Sequence, residues 1–85
     1  MRIIEIPQVD TNLFELLDIQ SPICHTVIMQ AATANTVNIE FGLAGDTQLF
    51  IEPGKSSSFP VSTIKALTVN TSAAGQLLGV VVERF

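Results

Sequence analysis

The sequence predicts an all-β protein, a small antiparallel β-sandwich or β-barrel, as one domain covering residues 1–85. Three observations lead to this prediction. Apolar and polar residues alternate at period two from Val37 to Leu43, the pattern of a strand with one buried face. Clusters of glycine, proline and serine separate this run from other short apolar runs, as turns separate strands. Of the 85 residues 47% are hydrophobic and 14% are charged, a composition too apolar for a disordered chain and sufficient for one modest core.

The first strand is expected at the edge of a sheet. Residues 2–6 alternate weakly and end at Pro7, which lacks a backbone donor and suits an edge strand. Two positions are open for residues 1–20 as a whole. The segment either folds back on the domain or forms an N-terminal arm that reaches a neighbouring subunit.

One short helical turn is expected near residues 12–18. Asn12 can serve as its N-cap, with Glu15 three residues later. Leu13, Leu16 and Leu17 then lie on one helical face. A further strand is the alternative for this segment.

The middle of the chain predicts three strands and a turn. Residues 23–31 form the first strand, which places Ile23 and His25 on the face of Val27 and Met29. The second strand is 37–43, followed by a bulged loop at 42–46 and a third strand at 47–52, in which Leu49 and Ile51 point inward and Phe50 outward. Pro53 and Gly54 are the residues expected at the centre of a type II turn.

The C-terminal third predicts a polar strand at 56–61, a strand at 64–70 and a hairpin at 72–75 that leads into the last strand, 76–85. Phe59 is assigned to the core, as are Phe14 and Phe41. The last strand is apolar on both faces, and a sandwich of this size needs only one face for its core. The second face therefore requires a cover, either the N-terminal segment or a neighbouring subunit.

Four apolar residues are the candidate interface residues. Leu77, Val81 and Phe85 share the second face of the last strand, and Phe50 lies between polar neighbours on an outward face. For Phe50 the alternative is a bulge that turns its side chain inward.

No catalytic, metal or cofactor site is expected. Cys24 and His25 are adjacent, but successive residues of a strand point to opposite faces, so the thiol and the imidazole do not meet. Cys24 is expected to pack as a small core residue and His25 as a core or interface residue. One cysteine and one histidine also fall short of the ligands that zinc normally takes from a protein.

Charge and cysteine content restrict the partners and the compartment. The net charge is −4, and five of the eight acidic residues lie in residues 1–40 with a single basic one. Four dispersed basic residues and the absence of Trp and Tyr argue against binding to nucleic acid or to an anionic membrane. The single cysteine excludes an internal disulfide, and no secretory leader is apparent at the start, so synthesis in the cytoplasm is expected.

Residues 36–85 resemble small all-β virion proteins of tailed bacteriophages. The resemblance lies in a strand with Phe41, a Pro53-Gly54 turn followed by Lys55 and Ser56, an apolar strand, a small-residue hairpin at 73–75 and a Val-rich end. It implies a structural component of a phage head or tail, of the decoration or minor capsid type. It brings no catalytic residues with it.

The expected function is therefore non-enzymatic. We expect a symmetric homo-oligomer, for example a trimer, that docks on the major capsid protein or on another virion protein and is located in the virion after synthesis in the host cytoplasm. The alternative is a small-ligand or glycan-binding β-sandwich module. An enzyme subunit is the third and least favoured class.

Overall fold

The fold consists of eight strands and one short helix in the computed structural model, which describes residues 1–43 and 46–85. The elements are β1 (Arg2–Glu5), β2 (Thr11–Asn12), α1 (Leu13–Leu17), β3 (Thr26–Ala31), β4 (Ile39–Leu43), β5 (Leu49–Ile51), β6 (Ser56–Pro60), a 3-10 turn (Ile64–Ala66), β7 (Leu67–Thr71) and β8 (Leu77–Glu83).

The strands form two antiparallel sheets of four strands each. Sheet A has the order β1-β8-β3-β6, and sheet B has the order β2-β7-β4-β5. The predicted all-β sandwich is confirmed.

The hydrophobic core lies between the two sheets and receives side chains from both. Phe41 of sheet B contacts Phe59 of sheet A edge-on, with ring centroids 5.6 Å apart and an interplanar angle of 89°. Further buried apolar residues are Ile6, Leu13, Leu17, Cys24, Val27, Met29, Ala31, Ile39, Ile51, Ile64, Leu67, Val69, Leu78 and Val80.

The predicted helix is present and short. The side chain of Asn12 caps it, accepting a hydrogen bond from the backbone N–H of Phe14 at 2.9 Å. Leu13 and Leu17 are buried and belong to the hydrophobic core, so the helix packs against it. The helix ends at Asp18, which takes the left-handed conformation with φ 51° and ψ 50°.

Residues 1–20 pack against the same chain. β1 is hydrogen-bonded to β8 along the edge of sheet A, as its predicted edge position requires. Ile6 follows it into the core, and its N–H donates to the carbonyl of Gln76 at 2.9 Å.

The strand predicted for residues 23–31 begins three residues later, because the alternation breaks ahead of β3. Cys24 and Val27 are both buried although they are three residues apart. Ile23 and His25 are exposed and do not share the buried face of Val27, contrary to the prediction. A period-two pattern carried through a bend assigns every residue beyond it to the wrong face.

The region around β5 follows the prediction in part. Ile51 is buried and Phe50 points outward, as predicted. Leu49 lies on the same side of the sheet as Phe41 but is exposed, contrary to the prediction, because β5 is a three-residue strand at the edge of sheet B. The bulged loop predicted at 42–46 includes residues 44–45, which lie outside the described residues.

The predicted turn at Pro53 and Gly54 is confirmed. Gly54 has φ 78°, and the N–H of Lys55 donates to the carbonyl of Glu52 at 3.0 Å, which closes the turn.

Two features of the C-terminal third differ from the prediction. The first three residues of the predicted strand 64–70 form the 3-10 turn, and the strand itself is β7. The predicted hairpin at 72–75 is wrong, since β7 and β8 belong to different sheets and the segment crosses between them. Both connections use small residues and a glycine, here Gly75 with φ 83°, so composition does not distinguish them.

Candidate interaction surface

Sheet A has an exposed apolar side that faces away from sheet B, which we call the outer A face. The strand register places Ile28 of β3 opposite Val81 of β8, and Ile3 of β1 opposite Gly79. Ile3 is 66% exposed and Leu77 39%, while Ile28 and Val81 are half-buried by their neighbours. An apolar strip therefore crosses the middle of this face.

Charged residues lie only at the ends of the outer A face. The outward positions of the four strands are Ile3, Glu5, Thr26, Ile28, Gln30, Ser56, Ser58, Pro60, Leu77, Gly79, Val81 and Glu83. Glu5 is at the end where β8 begins and Glu83 at the end where it finishes. An apolar centre with a polar rim is the usual composition of a protein–protein interface.

Gly79 creates a depression in this face. The side chain of Met1 lies across it, and a Cβ built on Gly79 would be only 2.5 Å from the Met1 sulfur. The groove beside it, about 250 Å³ in volume, is lined by Met1, Ile3, Gln30, Thr33 and Leu77 among others. Its lining is mostly apolar, with Gln30 and Thr33 as the polar residues, and includes no charged side chain.

The outer face of sheet B is different, because it is polar. Phe50 lies opposite Glu40, which lies opposite Asn70 on the next strand. The Asn70 amide donates to the carboxylate of Asp10. Phe50, 59% exposed, is thus an isolated aromatic ring next to carboxylate and amide groups, and it borders a groove of about 430 Å³.

Phe85 forms an exposed corner with His25. Phe85 is 96% exposed, and its ring centroid is 5.2 Å from that of His25. His25 Nδ1 lies 3.0 Å from the hydroxyl of Thr26. Of the two expectations for His25, core residue or interface residue, the first is wrong, because the bend ahead of β3 turns the side chain outward, and the second stays a prediction.

Three of the four candidate interface residues are well exposed, namely Phe50, Leu77 and Phe85, and Val81 is half-buried. They do not form one surface. Leu77 and Val81 lie on the outer A face, whereas Phe50 lies on sheet B. Their role in an interface stays a prediction.

Cys24 is a core residue, as the sequence predicts. It is buried, and its thiol donates to the carbonyl of Val61 at 3.1 Å. Burial raises the pKa of the Cys24 thiol, and the nearby positive charge of Arg84 offsets part of that rise. A buried thiol with a raised pKa is a poor nucleophile, and the exposed imidazole of His25 lies on the other side of the backbone.

Sequence reasoning missed two parts of this arrangement. Ile3 and Met1 contribute to the outer A face only because β1 pairs with β8, and pairing between the two ends of a chain leaves no local signal. The amides of Asn35 and Gln76 are buried and attach the loop before β4 to the start of β8. Polar residues in a Gly/Ala-rich segment look like ordinary turn residues in the sequence.

Among the described residues there is no group of three or more His, Cys, Asp or Glu side chains placed to hold a metal ion. The described part of the chain also has no helix with the length and apolar character needed to cross a membrane. Comparisons with protein-family models, with curated proteins and with solved structures found no significant match.

Proposed function

We propose that this chain is a non-enzymatic structural protein of a tailed-bacteriophage virion, which forms a homo-oligomer and docks on the particle in a decoration, cement or minor capsid role. The observation that carries the proposal is the outer A face, a nearly uncharged sheet surface with Ile3 and Leu77 exposed. Small sandwiches that leave such a face uncovered are suited to contact with other proteins.

The mechanism would be stabilisation by mass action. A subunit that binds only the assembled particle adds its binding free energy to the assembled state and opposes disassembly. Such a subunit needs surface complementarity rather than reactive groups. Cys24, the one thiol of the chain, is consistent with this role because it is sealed in the core.

The experiment is mass spectrometry of virions purified from the phage that encodes this chain. We expect the chain among the virion proteins, in a copy number that is a multiple of the symmetry of its location. Absence from intact virions, with the chain present in the infected cell, would contradict the proposal.

A second candidate, glycan or small-ligand binding, is favoured by one observation on sheet B. The ring of Phe50 and the polar groups of Asn38 and Glu40 line the same groove, and sugars stack on aromatic rings while polar side chains bind their hydroxyls. A glycan array with wild-type protein and Phe50→Ala tests this candidate. Specific binding that the substitution removes would support it, and an array without specific binding would reject it.

A further inference from the structure

We propose that this chain forms a symmetric dimer by antiparallel pairing of β6 with β6 of a second copy, through a twofold axis that is perpendicular to sheet A and passes between the two Ser58 residues. This inference deepens the proposed function by naming the edge through which the homo-oligomer forms, and it rests on the structural role proposed above. It follows from the backbone groups that β6 leaves unpaired, from the composition of that strand and from an exposed leucine beside it.

β6 (Ser56–Pro60) is an edge strand of sheet A and is bonded to β3 on one side only. In an antiparallel ladder every second residue directs its N–H and C=O groups to the neighbouring strand, and the residues between direct theirs the other way. The carbonyl of Lys55, just before β6, accepts from the N–H of Ala31 in β3. The odd-numbered residues of β6 are therefore the ones that bond to β3.

The even-numbered residues of β6 direct their backbone groups to the free edge. Ser56 and Ser58 each place an N–H and a C=O there, and Pro60 places only a C=O, because proline has no N–H. None of these groups has a hydrogen-bond partner among the described residues. Such an edge is able to bond to one further strand.

The other sheet edges are less suited to pairing. β1, the other edge of sheet A, carries Arg2 and Glu5 at its two ends, and charged side chains are a common protection against edge pairing. The edges of sheet B are β2 and β5, which have two and three residues. β6 has five residues, and none of them is charged.

The twofold axis makes the edge of β6 complementary to itself, which favours a second copy as the partner. An axis centred on Ser58 lays all five residues of β6 against the same five residues in reverse order. The two Ser58 residues then exchange two hydrogen bonds, and the N–H of each Ser56 donates to the carbonyl of Pro60 in the other copy. Pro60 thus stands where only an acceptor is used, and the Ser56 carbonyl alone remains for water.

Leu49 adds apolar contact at the same edge of the sandwich. It lies on the side of sheet B that carries Phe41, yet it is 47% exposed. Leu49 and Phe59 line one groove, and Phe59 packs on Phe41, so β5 and β6 are at the same side of the molecule. A second copy joined at β6 brings its own Leu49 and Phe59 to this side, and the contact removes apolar surface from water.

This dimer leaves the outer A face free for the particle and doubles its extent. Because the axis is perpendicular to sheet A, the outer A faces of the two copies lie on the same side and join into one continuous face. Strands about 4.8 Å apart, with about six residues at 3.3 Å each, give one copy a face of roughly 20 × 20 Å and the dimer one of roughly 40 × 20 Å. The joined face reaches the ~800 Å² that one partner buries in a standard interface.

The contact between the two copies is itself small. β6 is about 17 Å long and the two sheets are about 10 Å apart, so each copy contributes much less than the ~800 Å² of a standard interface. We therefore expect the free protein to dissociate on dilution through the micromolar range, and a symmetric dimer rather than the trimer expected from the sequence.

The first experiment is sedimentation velocity of wild type, Ser58→Pro and Ser58→Ala from about 10 µM to about 1 mM. The Ser58 N–H faces the free edge, so proline removes no hydrogen bond from the monomer but removes both central bonds of the dimer. We expect Ser58→Pro to weaken the dimer at least about tenfold and Ser58→Ala, which keeps the N–H, to match wild type within about threefold. Urea unfolding checks that each variant is folded.

The second experiment is disulfide formation under mild oxidation at about 100 µM in Ser58→Cys, with Ser56→Cys as the matched control. Across the axis the Cα atoms of the two residues at position 58 are about 5.5 Å apart, within the range of a disulfide. Those at position 56 are about 13 Å apart along the strands, too far for one. Wild type is the control for the buried thiol of Cys24.

We expect Ser58→Cys to form a covalent dimer several-fold faster than Ser56→Cys. A wild-type chain that stays monomeric at about 1 mM would overturn the inference. Equal crosslinking of the two cysteine variants would also overturn it, as would a folded Ser58→Pro variant that dimerises like wild type. The cysteine pair keeps the inference testable if the proline variant does not fold.

The two proposals fail in different ways. A monomeric chain that is nevertheless present in virions overturns the β6 pairing and leaves the structural role intact. A dimer that crosslinks at position 58 but is absent from virions overturns the phage role and leaves the pairing.

Discussion

Replacing Gln76 by leucine would test whether the buried amide holds the loop before β4 in place. The Oε1 atom of Gln76 accepts from the N–H groups of Thr36 at 2.8 Å and Val37 at 3.2 Å. Its Nε2 group donates to the hydroxyl of Thr36 and to the carbonyl of Ala74, both at 3.1 Å. Leucine has a similar volume and removes all four hydrogen bonds.

The magnitude depends on which groups recover a partner from water. Thr36 and Ala74 are exposed, so their groups are resolvated at little cost. Val37 is half-buried, and its N–H loses its acceptor, which costs about 1–3 kcal/mol for a buried group. The loosened loop adds to this loss, and the burial of the apolar leucine side chain reduces it. We therefore expect the free energy of unfolding to fall by about 2 kcal/mol.

Urea unfolding measures this change as a lower midpoint with an unchanged m-value. A loss of about 2 kcal/mol corresponds to a Tm lower by roughly 8–16 °C in a domain of this size. Gln20→Leu, at an exposed position, is the matched control and should stay within about 0.5 kcal/mol of wild type. Equal midpoints for the two variants would refute the role assigned to the Gln76 amide.

Three further predictions are tested in the same assay. Because burial raises the pKa of the Cys24 thiol, the folded state favours the protonated thiol. The free energy of unfolding should therefore be unaffected by this thiol at neutral pH and should fall as the pH rises above 9.0, the ordinary pKa of a cysteine. Cys24→Ala should remove this fall. Gly54→Ala should cost about 1 kcal/mol because φ is 78°. Gly79→Ala should cost less, since the only atoms too close to its Cβ belong to the flexible side chain of Met1, and equal losses would contradict this. Asp18→Val should destabilise by about 1–2 kcal/mol because φ is 51°, while Asp18→Gly should not, and a tolerated valine would show that the left-handed conformation is not maintained.

The sequence was sufficient for the fold class and for features with a local cause. The Pro53-Gly54 turn and the Asn12 cap each depend on one or two residues whose conformational preferences are strong. The inward positions of Ile39 and Phe41 in β4 and the two faces of β8 followed from alternation, because an uninterrupted strand keeps its period. Leu43, predicted on the buried face of β4, is exposed at the end of that strand.

Features that depend on pairing between distant residues could not be predicted from the sequence. The link between β7 and β8 looks like a hairpin, and only the sheet topology shows that it joins two sheets. His25 was placed on the wrong face because one bend shifts the period, and nothing in residues 23–25 marks it. The outer A face was predicted in part, from Leu77 and Val81, but the contribution of Ile3 depends on the pairing of β1 with β8.

Hydroxyl-radical footprinting tests most directly whether the outer A face is a contact surface. The chain is labelled as a dilute free protein and within purified virions, and the oxidation of Met1 and Leu77 is compared with that of Phe14, a half-buried residue away from this face. We expect oxidation of Met1 and Leu77 to fall several-fold in the virion while that of Phe14 stays constant. Equal oxidation of Met1 and Leu77 in the two states would contradict the account, since the face would then remain open to water in the assembled particle.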